Sequence, residues 1–116
     1  MFIGNIYSMK FIKATKTIFK PSFSYKRGET DFYQIVIEGK PQAEIEVLPV
    51  NKMGLPEILS LFVEPRFREG GLGRILVDKI KEIYGSEIYV RCTKESKPFW
   101  IKMGAEEFKG DMLLIK

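Results

Sequence analysis

The sequence of 116 residues contains no histidine and a single cysteine, Cys92. Without histidine there is no Ser-His-Asp or Cys-His nucleophile system, no His-ligated zinc and no imidazole acid or base. One cysteine makes no intrachain disulfide and no thiolate-rich metal cage, so no metal site is expected and a reducing, cytoplasmic setting is the default. Long apolar runs are missing too. Lys10, Lys13, Lys16 and Lys20 interrupt the N-terminal hydrophobic stretch, which falls short of the roughly 18 to 20 residues of a membrane span. The same lysines break what would be the apolar centre of a secretory signal. There is no internal repeat and no low-complexity tract. Met9, followed by Lys10 and Phe11, offers a second start, which would make the first eight residues an addition.

Hydrophobic residues make up 45% and charged residues 29% of the chain. That is the balance of an ordinary soluble globular protein, one that buries roughly two thirds of its unfolded surface. The length points to one domain over residues 1–116, with no room for a second core. Nineteen Lys and Arg against fifteen Asp and Glu leave a net charge of +4, which suits a phosphorylated ligand, nucleic acid, or neither.

Residues 11–19 mix aromatic, β-branched and lysine side chains without a clean period and read as an edge strand. Pro21 and Arg27-Gly28 mark a loop. In residues 31–38, Tyr33, Ile35 and Ile37 share one face, and Gly39-Lys40-Pro41 is the turn that follows. Residues 43–47 alternate strictly, Ala43, Ile45 and Val47 against Glu44 and Glu46, as in a half-solvated antiparallel strand pairing with the one before. Residues 58–63 are almost wholly apolar, the signature of a strand covered on both faces in the middle of a sheet. Pro65 ends it. From Leu72 the apolar positions become Leu72, Ile75, Leu76, Ile80 and Ile83, a helical stripe stopping before Gly85. Residues 87–91 form a strand parallel to the previous one, because a helix crosses between them. Ser96 caps a short helix through Met103, with Pro98 in its first turn and Gly104 past its end. Residues 106–108 and 112–115, joined at Gly110-Asp111, make a closing hairpin. The expected class is α/β: a mixed sheet with few helices.

The stretch richest in chemistry lies between the buried strand and the helix: Arg68-Glu69-Gly70-Gly71-Leu72-Gly73-Arg74. The first turn of a helix has unpaired N–H groups and about half a positive charge from its dipole, and glycines let phosphate oxygens reach that backbone. Arg68 and Arg74 add formal charge. A dinucleotide fingerprint fails, because Gly71 and Gly73 are followed by Leu76 where the third glycine is needed. A Walker loop fails as well, because Gly73 is followed by Arg74 and Ile75 and not by Lys-Ser/Thr.

What matches is R-x-x-G-x-G, from Arg68 to Gly73, preceded by V-x-P and followed beyond the helix by Phe99-Trp100-Ile101-Lys102-Met103-Gly104-Ala105. The pair, in this order on these elements, resembles the GNAT superfamily of acyl-CoA-dependent N-acyltransferases over about residues 57–109. The resemblance implies antiparallel N-terminal strands, a central parallel pair that splays apart, two main helices and a C-terminal hairpin. It implies acetyl-CoA or another acyl-CoA as co-substrate, its pantetheine arm lying between the splayed strands against Leu61, Phe62 and Val63. The backbone of Glu69, Gly70, Gly71, Leu72, Gly73 and Arg74 would hold the pyrophosphate, with the Arg68 side chain at the entry. Thr93, Ser96 and Phe99 stand where the family contacts the pantetheine and adenine end.

The implied reaction is acetyl transfer to a primary amine of an unidentified acceptor, small molecule or protein. Such an amine has a pKa near 10.4 and must lose a proton before it attacks. Glu57, eleven residues before Arg68, occupies the position of the family's strand-start glutamate and is the candidate base. A backbone N–H near the splay, that of Val63, would meet the developing oxyanion. The chain departs from the family in two places. Trp100 stands where a tyrosine commonly protonates the leaving sulfur, and an indole does not ionise usefully. Residues 20–31 are too few for the two helices that usually shape the acceptor pocket, which would then be open, completed by a second subunit in a homodimer, or lost. Two other functions fit the residues: an acyl-CoA-binding regulatory or interaction module without turnover, and, ranked last, a small basic nucleic-acid-binding protein.

Overall fold

The computed structural model describes residues 9–20, 28–68, 71–85, 87–110 and 112–116. Among them seven strands form one mixed sheet: β1 (Met9–Lys13), β2 (Asp31–Ile37), β3 (Lys40–Leu48), β4 (Glu57–Val63), β5 (Ile88–Arg91), β6 (Glu106–Lys109) and β7 (Met112–Ile115). Their spatial order is β1-β2-β3-β4-β5-β7-β6. A 3₁₀ turn (Pro65–Phe67) and helix α1 (Leu72–Tyr84) connect β4 to β5, and the short helix α2 (Lys97–Lys102) follows β5. The almost wholly apolar run therefore lies in the fourth strand in sequence, at the middle of the sheet, and among the described residues its parallel neighbour is β5, as a helical crossover requires. Of the expected loop, Pro21 and Arg27 lie outside the described residues, as does Asp111 of the closing hairpin.

Helix α1 packs one face onto the sheet. Leu72, Leu76, Val77 and Ile80 are buried against Ile35, Ile45, Ile58 and Ile88, each large side chain contributing about 1.5–3 kcal/mol on burial. The helical stripe is rotated slightly from the sequence expectation, since Val77 is in the core and Ile83 is exposed. The C-terminal end of α1 is pinned to the sheet by hydroxyls. The Tyr84 hydroxyl donates to Asp31 Oδ2 at 2.6 Å and lies 2.8 Å from the Tyr33 hydroxyl. Burial first, then the bonds to Asp31 and Tyr33, raises the Tyr84 phenol above its ordinary value. No helix among the described residues is long and apolar enough to cross a membrane.

The opposite face differs from its expected half-solvated state. Glu44 and Glu46 are fully buried, at 0% exposure. The reason is the segment 14–20, which leaves β1 and runs as a strap across that face. Buried carboxylates persist only with partners, and these have them. Glu44 Oε1 accepts the Ile18 N–H at 2.8 Å and the Gln34 Nε2 at 2.7 Å, while Oε2 accepts the Phe19 N–H at 2.7 Å. Glu46 accepts the hydroxyls of Thr30 (2.9 Å) and Ser60 (3.2 Å). Phe19 then meets Phe62 edge-on at 5.9 Å. Hydrogen bonds to a charged group contribute about 1.5–3 kcal/mol each, and leaving their partners unpaired costs more than losing them. Glu44→Ala should therefore lower the unfolding free energy by about 3 kcal/mol in urea titration and expose the strap to proteolysis. A loss under about 1 kcal/mol, smaller than one such bond, would mean the strap is not held there.

Candidate functional site

The centre of the sheet carries a break. Strand β4 pairs with β3 in the register Ala43↔Val63, Glu44↔Phe62, Ile45↔Leu61, Glu46↔Ser60, then shifts to Val47↔Ile58. The shift leaves Leu59 opposite no residue, a β-bulge. Beyond Val63 the ladder continues with the Glu64 N–H on the Gln42 carbonyl at 2.8 Å. Bonded and non-bonded pairs alternate in an antiparallel ladder. Phe62 thus bonds to β3, whereas the N–H and C=O groups of Leu61 and Val63 turn the other way, toward β5. There β5 does not meet them, because β4 and β5 pair at Glu57↔Tyr89 and Ile58↔Val90 and no further. The strands fork after Ile58 and Val90.

A cavity of about 530 Å³ fills the fork, lined by Leu59, Ser60, Leu61, Phe62, Val63, Arg68, Gly73, Arg91, Thr93, Ser96, Phe99 and Trp100. Its floor is β4, and its mouth is the N-terminal end of α1. Gly71, which precedes that helix, has φ 82° and no heavy atom within 4 Å of a Cβ built on it, so glycine is needed there for its backbone conformation and not for space. Gly73 serves space instead. A Cβ there would lie 3.0 Å from Phe99 Cζ, so the missing side chain admits the Phe99 ring.

The cavity brings together eight residues expected from the sequence: Leu61, Phe62, Val63, Arg68, Gly73, Thr93, Ser96 and Phe99. Arg68 folds back, its Nε donating to the Val63 carbonyl at 2.8 Å. Thr93 and Ser96 cap each other: the Thr93 N–H donates to Ser96 Oγ at 3.0 Å and the Ser96 N–H to Thr93 Oγ1 at 3.2 Å. Ser96 does not cap α2 through its side chain. Leu72 is core, and Gly71 and Arg74 flank the mouth without lining the cavity. Glu69 and Gly70 lie outside the described residues. Glu57 is 2% exposed and is not a strand-end charge in water. Its Oε2 accepts Arg91 Nε at 2.8 Å, its Oε1 accepts Asn51 Nδ2 at 3.2 Å, and it does not line the cavity.

Four lining residues were not among the expected ligand contacts: Leu59, Ser60, Arg91 and Trp100, the last already singled out beside Phe99 in the second motif. Two carried a signal. Ser60 is the lone hydroxyl in an apolar run, and Arg91 is the charged end of an apolar strand. Trp100, 4% exposed, is both core and cavity wall. Among the described residues no group of His, Cys, Asp and Glu could hold a metal ion.

The family model for the acetyltransferase (GNAT) family matches residues 4–105. No curated protein matches the sequence significantly. Among solved structures, the fold is similar to E. coli YhhK bound to coenzyme A, with TM-score 0.70 and 14% identity over 93% of this chain and 98% of that one. The Bacillus subtilis N-acetyltransferase YlbP in complex with coenzyme A gives TM-score 0.61 and 25% identity over 72% of this chain and 65% of that one. AtaTR bound with AcCoA gives TM-score 0.72 and 9% identity over 94% and 93%.

The contact between Gly73 and Phe99 yields an expectation that needs no ligand. In Gly73→Ala the helix gains up to about 1 kcal/mol from propensity and loses about as much to a displaced Phe99 rotamer. Unfolding free energy should stay within about 1 kcal/mol of the parent, while the emission of Trp100, whose ring lies 5.0 Å from Phe99, changes. Unaltered emission would show that Phe99 does not fill the space over Gly73.

Proposed function

Because the chain belongs to the GNAT acetyltransferase family, matched over residues 4–105, we propose that residues 1–116 act as one domain transferring an acyl group from acetyl-CoA, or a related acyl-CoA, to a primary amine. The observation that carries this reading is the fork between β4 and β5, opening toward the N-terminal end of α1, where Gly73 lines the cavity. An acyl-CoA needs a slot with main-chain partners for its pantetheine amides and an anion-binding mouth for its pyrophosphate. The residues fit both needs. Leu61 and Val63 turn N–H and C=O groups into the slot, and Phe62 holds β4 to β3 behind them. The amides from Glu69 to Arg74 would take the pyrophosphate, helped by the α1 dipole and by Arg68. Thr93, Ser96 and Phe99 would line the rest of the arm. Coenzyme A or AcCoA bound to neighbours of the same fold supports the reading.

When bound, the thioester supplies an activated acyl carbon. The chain's part is to position the amine, receive its proton and donate a hydrogen bond to the thioester carbonyl oxygen from a β4 N–H turned into the slot; that of Leu61 suits this better than the expected Val63, which lies toward the α1 mouth and away from the fork. Two carboxylates compete for the proton. Glu57 is proposed from its place at the start of β4, but Arg91 and Asn51 occupy its oxygens, and a guanidinium does not give up a proton. Glu46 is reached through the Ser60 hydroxyl, which lines the cavity and lies 3.2 Å from Glu46 Oε1. A hydroxyl accepts one proton while giving another, so the Ser60–Glu46 path suits the transfer and Glu57 serves to hold Arg91. A second reading, acyl-CoA binding without turnover, is favoured by one observation: buried Trp100 occupies the place of the family's tyrosine.

Melting with and without acetyl-CoA tests the binding. Ligand at a hundred times its dissociation constant adds about 2.7 kcal/mol, a rise on the order of 10 °C for a chain of this size. Gly71→Glu or Gly73→Glu should abolish it, and no rise at saturating acetyl-CoA removes both readings. Free-thiol release with a panel of primary amines separates transfer from mere binding. Where release occurs, Glu46→Gln should lower kcat/KM about 100-fold near neutral pH, with the deficit shrinking toward pH about 10 as the amine loses its own proton. A larger deficit for Glu57→Gln than for Glu46→Gln assigns the proton to Glu57.

A further inference from the structure

Arg91 is the residue of β5 that follows the last parallel pair, Ile58↔Val90, and so stands where the fork begins. Its side chain lines the cavity. Alternation along β5 buries Ile88 and Val90 under α1 and turns Arg91 to the other face, the side of Ser60 and Phe62. The guanidinium is held there by Glu57 Oε2, 2.8 Å from Nε, with the carboxylate buried and the Arg91 side chain 44% exposed. Among the described residues, the charged groups around this part of the wall are Arg91 from β5, Glu57 from β4, Glu46 from β3 behind Ser60, and Arg68 from the turn after β4. Arg68 is spent at the far end of the slot, on the Val63 carbonyl and against the Phe62 ring. Arg91 is thus the cation at the apex, where two strands converge and an extended chain entering from the α1 mouth must end.

From this placement we infer that Arg91 is a catalytic residue that stabilises the departing sulfur as a thiolate, taking the part for which Trp100 has no ionisable group. The inference rests on the acyl-CoA reading. As the amine nitrogen bonds to the acyl carbon, the carbon–sulfur bond breaks and its electron pair stays on sulfur. The amine's proton passes to the carboxylate path, and the thiolate, balanced by the Arg91 charge, takes a proton from water on release. An adjacent cation lowers the pKa of an anion-forming group by about 1–3 units. It also disfavours the ammonium form of an amine drawn into the same space, so one charge assists both partners. Glu57 is the positioning residue: its buried carboxylate fixes the guanidinium against the cavity wall.

The test reads the sulfur directly and needs no acceptor. In a Cys92→Ala background, with CoA occupancy established by equilibrium dialysis, the ultraviolet thiolate absorbance of bound CoA is followed against pH, subtracting the desulfo-CoA complex. The bound thiol should half-ionise at least about one pH unit below free CoA, about a tenfold gain in thiolate fraction. Arg91→Gln should return it to the free value, and Arg91→Lys should keep most of the shift. A bound thiol that titrates like free CoA in the unsubstituted background, or is unmoved by Arg91→Gln, overturns the role. Failure of CoA to bind at all in the dialysis overturns the acyl-CoA reading and this inference with it.

Discussion

The structure depends on pairing that stops. Strand β4 sits in the middle of a seven-stranded sheet, yet on one side its backbone is laddered only as far as Ile58. Buried N–H and C=O groups are normally satisfied, so an opened seam in a sheet centre has to be enforced. The bulge at Leu59 re-aims β4 just where the seam opens. Beyond Arg91 the chain leaves the sheet in a turn closed by Thr93 and Ser96, so no strand remains to complete the ladder. The crossover through α1 brings a helix N-terminus to the open end of the same seam. One topological decision thus opens a slot beside the β4 backbone and sets the N-terminal end of α1 at its open end.

The second constraint is charge on the face away from α1. Glu44, Glu46 and Glu57 are all buried, and each is satisfied by a chemically different set. Amide N–H groups surround Glu44 and fasten the strap. Hydroxyls meet Glu46, and a guanidinium with a carboxamide meets Glu57. These partners distinguish the three carboxylates: amides fasten the strap to Glu44, the Ser60 hydroxyl links Glu46 to the cavity wall, and the guanidinium on Glu57 brings a fixed positive charge to that wall. The strap that covers this face is seven residues long, 14–20.

Local pattern was enough to read β4, the glycine turn, α1 and the parallel return to β5, because each carries its own periodicity and punctuation. The cavity residues on those elements were expected from the family resemblance that the turn motif and the Phe99–Ala105 motif carry together. What eluded sequence reading depends on contacts distant along the chain. Glu44 and Glu46 alternate as solvent-facing residues should, and only a strap 25–26 residues earlier, joined by the Phe19 and Ile18 amides, buries them. Glu57 was legible as a residue of interest by position, but its ion pair with Arg91 spans 34 residues. Arg91 itself becomes visible once the last parallel pair, Ile58↔Val90, is known. Ser96 was legible as a cap, although its side chain turns back to Thr93 and not into α2.

The seam can be observed one amide at a time. Hydrogen exchange resolved by NMR, in the free chain and with saturating coenzyme A, compares Phe62, bonded to β3, with Leu61 and Val63, turned into the slot. In the free chain the Phe62 amide should be protected and those of Leu61 and Val63 should exchange quickly; coenzyme A should protect Leu61 and Val63 and leave Phe62 unchanged. Equal protection of all three in the free chain would mean that β4 and β5 are closed along their length, and the account of the site would fail with them.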